Sequence, residues 1–404
     1  MADQEDGNGL AGDGACGPRS SPSSAWFTGD PLPWLLAEGD PSARWLTLTG
    51  VLGRPGDDAD VLRARAEVVA DPRTRALVDR LPDWEGGVQV SGHDSPGFAP
   101  NLLALLADMG VTGGDFPRVD VVLDAMLAHQ DPDGRFQSYG AVRRGETPRW
   151  GALLCDTHAI VDVLVRYGHG QDPRVRAGLD RMLANLTDTA QGRAWPCRPD
   201  RVGGFRGPGR RGDCCPQVTV EALRAWGRLP ADQRPAAAAT ALDAAARTLI
   251  GIWRGRGTHR PYQFGHGRTF KTVKWPPTWY RVDAVLDPFA SYPQLWRGPT
   301  AGPQDRGAVA ELVACLLAYD MRDDGRVVPR SVYRGFETFD FGQKEAPGAL
   351  RHRPPAQLPR AVRGPRRAGP RHRRRPARQP AHGPGGPRRA RSAAGRVVHR
   401  LAGV

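Results

Sequence analysis

The sequence predicts a mostly α-helical protein, and three observations carry that expectation. From Pro100 onward, apolar residues recur at three- and four-residue spacing, which lays an apolar stripe along one face of a helix. Glycine-bearing turns separate the stripes and lead into an aromatic or apolar residue. Runs that alternate apolar with polar residues, the mark of a half-buried strand, are scarce.

Taken in order, residues 1–24 are rich in Gly, Asp and Ser and are expected to be disordered. They have no basic leader followed by an apolar stretch, so they read as neither a secretory signal nor an anchor. Residues 25–82 read as an N-terminal helical segment. It opens with Trp34-Leu35-Leu36 and Pro41-Ser42-Ala43-Arg44-Trp45-Leu46 and continues through helical patterns at 62–69 and 74–81. This segment is expected to cap one end of a repeat domain.

Residues 83–345 read as that domain. Val119, Val122, Leu123, Met126 and Leu127 form one stripe, and Val175, Leu179, Met182, Leu183 and Leu186 form another. Ala222, Ala225, Trp226 and Leu229 repeat the pattern, as do Leu242, Ala246, Leu249, Ile250 and Trp253. Ala308, Leu312, Cys315, Leu316 and Tyr319 complete the series. Among the turns, Gln130-Asp-Pro-Asp133-Gly134-Arg-Phe136 is the clearest. Gln191-Gly192-Arg-Ala-Trp195, Asp323-Asp324-Gly325-Arg-Val327 and Trp84-Glu-Gly86-Gly87 are looser versions. Their glycines lie tens of residues apart, room for a helical hairpin between each pair, so the expectation is a repeat architecture in which each hairpin buries its stripe on its neighbours.

Residues 346–404 differ in kind. The last acidic residue is Glu345, and 351–404 holds sixteen arginines and no lysine. The whole chain carries 57 basic and 43 acidic side chains, a net of +14. Without the tail, 41 basic face 43 acidic groups, a net of −2. The body is therefore not expected to attract nucleic acid by charge, and such binding is expected chiefly through the tail. The tail reads as a disordered basic arm, an inert extension, or an out-of-frame translation of GC-rich DNA. The last accounts best for its Arg, Pro, Gly, Ala and His and for its abrupt start where another hairpin is due.

No uninterrupted apolar run approaches the ~18 residues of a membrane-spanning helix. The six cysteines follow no framework spacing and read as reduced thiols in a cytoplasmic protein.

Three groups of residues could carry chemistry. In Gly212-Asp213-Cys214-Cys215-Pro216, Pro216 suits the first position of a helix, which makes Cys215 its N-cap. The partial positive charge there favours a thiolate, and thiolates are good zinc ligands. In Cys155-Asp156-Thr157-His158, followed by Asp162, Cys155 and His158 share a helix face. His158 held by Asp156 is a candidate acid–base pair, and the alternative is an interior histidine with a satisfied hydrogen bond. In 254–280, cations alternate with aromatics: Lys271 and Lys274 lie near Trp275, Trp279 and Tyr280. That mixture suits an apolar ligand with an anionic head, with Arg210, Arg211 and Arg206 able to join. It equally suits a loop packed by its own rings, and base stacking is a third reading.

The turn at Gln130–Phe136 resembles the Gln-x-x-Asp/Glu-Gly-x-Trp motif of the squalene-cyclase and prenyltransferase repeat superfamily, with Phe136 in place of Trp. The opening Trp34-Leu-Leu-Ala-Glu-Gly-Asp40-Pro41-Ser42-Ala-Arg44 resembles the start of uncharacterised bacterial members of that superfamily, as does the segment from Phe264 to Tyr280. The resemblance covers about residues 30–345 of the chain. It implies an α/α toroid, an inner and an outer ring of helices round a central cavity that takes a prenyl or other apolar ligand. By similarity to the Asp-x-Cys pair and later histidine of prenyltransferase catalytic subunits, it implies a zinc site of Asp213, Cys215 and His266. Cys197, with Cys214 or Cys215 and His266, is instead similar to the Cys-Cys-His set of lanthionine cyclases.

The acids of terpene cyclisation are not in the sequence. No Asp-x-Asp-Asp string occurs, and Asp57-Asp58-Ala-Asp60 has the wrong spacing for a magnesium-binding Asp-Asp-x-x-Asp. The expected activity is a prenyltransferase- or cyclase-like reaction of unspecified kind. A catalytically silent toroid that binds a ligand or partner is the alternative.

Overall fold

The computed structural model describes residues 30–84, 92–140, 147–198, 209–261, 264–322 and 325–339. Its helices begin where the sequence supplies the right first residues. Asp58 caps the helix Ala59–Ala70 by accepting from the N–H groups of Asp60 at 2.8 Å and Val61 at 3.4 Å. Asp71 and Asp172 cap the helices Pro72–Val78 and Pro173–Asn185, each with proline at the first helical position. There the missing N–H costs nothing and the fixed φ helps. Numbered in chain order, the helices are α1 Leu32–Ala37, α2 Pro41–Leu46, α3 Ala59–Ala70, α4 Pro72–Val78, α5 Ala99–Asp108, α6 Pro117–Ala128 and α7 Leu154–Arg166. The series continues with α8 Pro173–Asn185, α9 Pro216–Arg228, α10 Ala236–Arg254, α11 Arg268–Lys271, α12 Val282–Phe289 and α13 Pro303–Asp320.

Strands are minor. β1 Ser138–Gly140 pairs antiparallel with β2 Arg149–Gly151, with Tyr139 opposite Trp150. β3 Thr187–Thr189 and β4 Gly192–Ala194 form a second antiparallel pair. β5 Lys274–Trp275 and β6 Ser331–Val332 run parallel. The described chain is thus mostly helical, as the periodicity predicts.

The stripes face inward. Every member of the α6 stripe is at most 3% exposed, and the stripes of α9 and α10 are buried throughout. The α13 stripe departs from this: Ala308 and Leu312 are buried, but Cys315 and Leu316 are half-buried and Tyr319 is exposed. Among the described residues no later helix covers that flank. One apolar cluster runs from Val68 to Phe339, and a small satellite of Leu48, Val61 and Ala64 lies under the N-terminal helices. Trp45 packs against both clusters. Its ring lies on Gly110, whose φ of +102° and missing side chain leave room for the close approach.

Two predicted turns share a construction. The Gln130 side chain donates to Gly134 O at 3.1 Å and Arg174 O at 2.8 Å, Gly134 adopts φ +84°, and Phe136 is fully buried. The Gln191 amide spans Asp213 Oδ1 and Cys214 N, Gly192 adopts φ +132°, and Trp195 is fully buried. In both, a glutamine amide ties the turn to a neighbouring backbone and an aromatic ring plugs the core. Gly86, Gly87, Asp323 and Asp324 lie outside the described residues, as do 1–24 and the 346–404 tail.

Four helices position the site. α5 packs on α7, α7 on α9, and α9 on α12. α8, α10 and α13 pack behind α7, α9 and α12 respectively. The C-terminal residues return to the N-terminal half: Arg73 donates to Thr338 O at 2.8 Å, and the Arg80 guanidinium lies 4.5 Å over the Phe336 ring.

Candidate functional site

The front helices enclose a cavity of about 350 Å³, near the lower end of the ~300–1,000 Å³ usual for small-molecule sites. Each helix contributes residues three, four or seven apart, as one helix face must. They are Asn101, Leu105 and Asp108 of α5, Ala159, Asp162 and Arg166 of α7, Gln217, Glu221 and Arg224 of α9, and Asp283 and Asp287 of α12. Trp275, Pro276, Pro277 and Trp279 form an apolar wall, and Leu46 of α2 closes part of one end.

The charges within are mostly paired. Asp162 accepts from Arg166 Nε at 3.0 Å and from Arg228 Nε at 2.8 Å. Burial opposes its charge, but these guanidiniums hold its carboxyl down at about 2. Arg166 also pairs with Asp108, and Arg224 Nε meets Asp287 at 2.8 Å. Glu221 differs. Gln217 Nε2 donates to its Oε1 at 2.7 Å, but its Oε2 is buried without a donor among the described residues. Burial raises its carboxyl to about 7, against the opposing pull of His93 and the Gln217 amide. Asp283 is likewise raised by burial, to about 6.

Behind Gln217 and Glu221 lies a cluster only half of which the sequence announces. His93 Nε2 stands 3.0 Å from Asp156 Oδ1 and 3.2 Å from Cys155 Sγ. Ser138 Oγ of β1 donates to the other Asp156 oxygen at 2.8 Å. The His93 ring packs edge-on against Phe98, 4.9 Å between centroids, and its Nδ1 is buried without a partner among the described residues. Burial disfavours charge on His93, yet the Cys155 sulfur and the Asp156 carboxylate outweigh it and hold the imidazole well above its usual value. Burial pushes the Cys155 thiol up, with His93 pulling the other way.

The geometry separates two kinds of chemistry. A relay of nucleophile, base and orienting acid needs both ring nitrogens of the histidine, one for each partner. Here sulfur and carboxylate converge on the same nitrogen. Convergence of N, S and O donors on one point is what a metal site requires. Among the described residues, His93, Cys155 and Asp156 are the one group of three such donors whose ligand atoms all lie within 4.8 Å of one another. Tetrahedral zinc bonds would set ligand atoms about 3.4 Å apart, so the two distances from His93 Nε2, 3.0 and 3.2 Å, would need to open by only a few tenths of an ångström. A metal held by these three donors would keep a fourth position for water or substrate, and the Ser138 bond to the other Asp156 oxygen would orient the carboxylate, as outer-shell groups do.

The residues expected to carry chemistry are dispersed. Asp156 partners His93 rather than His158. His158 is fully buried, bonds Val218 O through Nδ1 at 3.0 Å, and is lowered to about 4 by burial. It is the interior histidine of the alternative reading. Cys215 is the N-cap of α9 with Pro216 at its first position, as expected. Burial holds its thiol well above its usual value, with Cys197, Cys155 and Cys214 adding to the effect, which works against the thiolate that the N-cap favours. Asp213 accepts from Gln191 Nε2 at 3.1 Å. His266 bonds the Tyr280 hydroxyl at 3.0 Å inside a cage of Trp253, Phe270 and Tyr280. Asp213, Cys215, Cys197 and His266 are not brought together as a donor group.

The expected anion-binding set is also divided. Trp275 and Trp279 line the cavity, but Lys271 lies 6.0 Å over Tyr319 and Lys274 lies 3.3 Å over Tyr333. Arg210 is exposed, Tyr280 is buried against His266, and Arg206 lies outside the described residues. Sequence reasoning missed His93, which sits 62 residues before Cys155 in a Gly-, Ser- and Pro-bearing loop. It also missed Glu221, an acid set among apolar residues, and that mismatch was the available signal.

No helix among the described residues is long and apolar enough to cross a membrane. Comparison of the chain with protein-family models, with curated proteins and with solved structures gave no match.

Proposed function

We propose that the chain is a metal-dependent enzyme of the α/α-toroid kind. Its cavity takes a small molecule with an apolar, isoprenoid-like body, and a zinc centre lies beside it at His93, Cys155 and Asp156. The observation that carries the reading is the convergence of Cys155 Sγ and Asp156 Oδ1 on His93 Nε2. The order of helix contacts, α5 to α7 to α9 to α12 with α8, α10 and α13 behind, supports two concentric layers round the cavity. Pro276, Pro277, Trp275 and Trp279 supply a surface for an apolar body.

Bound there, zinc would polarise a substrate group or lower the pKa of a water or thiol. The chain's own residues present Glu221, buried in the cavity wall, whose raised carboxyl can hold or release a proton near neutrality. The metal set thus differs from the Asp213, Cys215 and His266 that the resemblance implies, and Asp156, expected as the acid partner of His158, becomes a ligand instead.

Metal analysis of the purified full chain tests this. One zinc per chain is expected, lost in Cys155→Ala and in His93→Ala and retained in Cys215→Ser. A folded chain without metal after zinc reconstitution overturns the centre and leaves a ligand-binding toroid without metal chemistry. Zinc lost on Cys215→Ser but kept on Cys155→Ala returns the site to the α9 N-terminus.

A further inference from the structure

The cavity has an electrostatic imbalance that its own residues leave standing. Asp108, Asp162, Glu221, Asp283 and Asp287 line it, against only Arg166 and Arg224. Arg166 pairs with Asp108 and Asp162, Arg224 with Asp287, and Arg228 adds a second bond to Asp162. Among the described residues, Glu221 and Asp283 have no cation at ion-pair distance.

The hydrogen bonds tell the same story. Gln217 Oε1, Glu221 Oε2 and Asp283 Oδ1, all on lining residues, are buried with no donor among the described residues. Gln217 and Glu221 are each only 5% exposed, so bulk water does not substitute. Buried acceptors are nearly always satisfied in folded proteins, and a buried ionised carboxyl without a counter-charge is costly. Burial raises both acids above their usual carboxyl range, Glu221 to about 7 against His93, the Gln217 amide and Arg224, and Asp283 to about 6 against backbone N–H bonds, Arg281 and Arg224. The missing partner is a cation that can donate. The same cavity is walled by the indoles of Trp275 and Trp279, whose faces attract cations and cover apolar groups.

We propose that this cavity binds a primary or secondary amine carried on an apolar body. The ammonium lies between Glu221 and Asp283, a further N–H reaches Gln217, and the apolar part lies against Trp275 and Trp279. This departs from the anionic head that the run of cations in 254–280 suggests, since Lys271 and Lys274, over Tyr319 and Tyr333, do not line this cavity. The inference takes the cavity from the function proposed above and makes no use of the metal.

Calorimetric titration of the full chain at pH 8 tests it, with four probes of similar shape: 2-phenylethylamine, its trimethylammonium analogue, 2-phenylethanol and 3-phenylpropanoate. Saturable binding of the amine is expected, at least tenfold tighter than the alcohol and the quaternary analogue, with the carboxylate weakest. Glu221→Gln and Asp283→Asn should each weaken the amine about tenfold while leaving the circular dichroism spectrum unchanged. Having two variants keeps the test open if one fails to fold. No saturable amine binding, equal binding of the carboxylate or the quaternary analogue, or unchanged amine affinity in the folded variants would overturn the proposal. Zinc is measured on the same sample. Amine binding without zinc sinks only the metal centre, and zinc without amine binding sinks only this inference.

Discussion

Asp162 Oδ1 accepts from Arg228 Nε at 2.8 Å, and this bond ties α7 to α9. Its other oxygen takes Arg166 Nε at 3.0 Å, so one buried carboxylate holds two guanidiniums. Removing one partner from such a group leaves buried charge without compensation.

Asp162→Asn is therefore expected to lower stability by about 3 kcal/mol at pH 7, read from urea unfolding. The carboxyl titrates at about 2 in the folded chain and near 3.9 when unfolded. Its contribution is complete above about pH 4 and lost as pH falls through 2, a span worth about 2–3 kcal/mol. The variant should show a shallower acid slope across that window. An unchanged slope would show that the two arginines do not hold the charge.

His266 tilts stability in a neighbouring range for the opposite reason. Burial, aided by Arg256, Arg260 and Lys271, lowers its imidazole to about 4. Above pH 6.5 it is neutral in both states. As pH falls from about 6.5 to 4, the unfolded chain takes up a proton that the folded chain refuses, and stability drops by up to about 3 kcal/mol. His266→Gln should flatten the curve between those values. Its imidazole resonances should titrate near pH 4, and titration near 6.5 would contradict the closed cage.

Cys214 and Cys215 should resist alkylation in the native protein. Burial raises Cys214 to about 12 and Cys215 well above its usual value, and the thiolate is the reactive form. Iodoacetamide at pH 8, read by peptide mass spectrometry, should label half-buried Cys197 and Cys315 first. Cys215 labelled ahead of them would restore the activated N-cap thiolate.

Gly110→Ala should cost about 2 kcal/mol. A methyl group there would lie 2.8 Å from Trp45 Cδ2, on a backbone at φ +102°. In a Trp45→Ala background the cost should shrink to the backbone part alone. A full cost in both backgrounds would show that the ring contact contributes nothing.

Much of the fold is legible because helices advertise themselves locally. The α6 stripe needs only residues three and four apart, and Asp58, Asp71 and Pro216 mark helix starts where the structure has them. α12 escapes such reading, since Asp283, Asp287 and Pro288 interrupt its short apolar pattern. The candidate site is legible only in half. Cys155 and Asp156 are sequence neighbours, but His93 meets them through tertiary packing alone. The Cys215 N-cap can be read from Pro216, whereas the state of its thiol depends on burial, which no neighbouring residue announces. The cations of 254–280 suggest one binding surface, but Lys274 points to Tyr333, a partner far along the chain.

The return of residues 335–339 to α4 sets a timetable for the nascent chain. Arg73 waits for Thr338 across 265 residues, and Phe336 and Phe339 complete an apolar cluster to which α4 contributes Leu77 and Val78. At the usual pace of synthesis, on the order of tens of seconds separate the two. During that interval Arg73 and Arg80 lack the partners that Phe336, Thr338 and Phe339 later supply. Late-arriving partners of this kind slow folding, and they make α4 the surface that a chaperone would meet first.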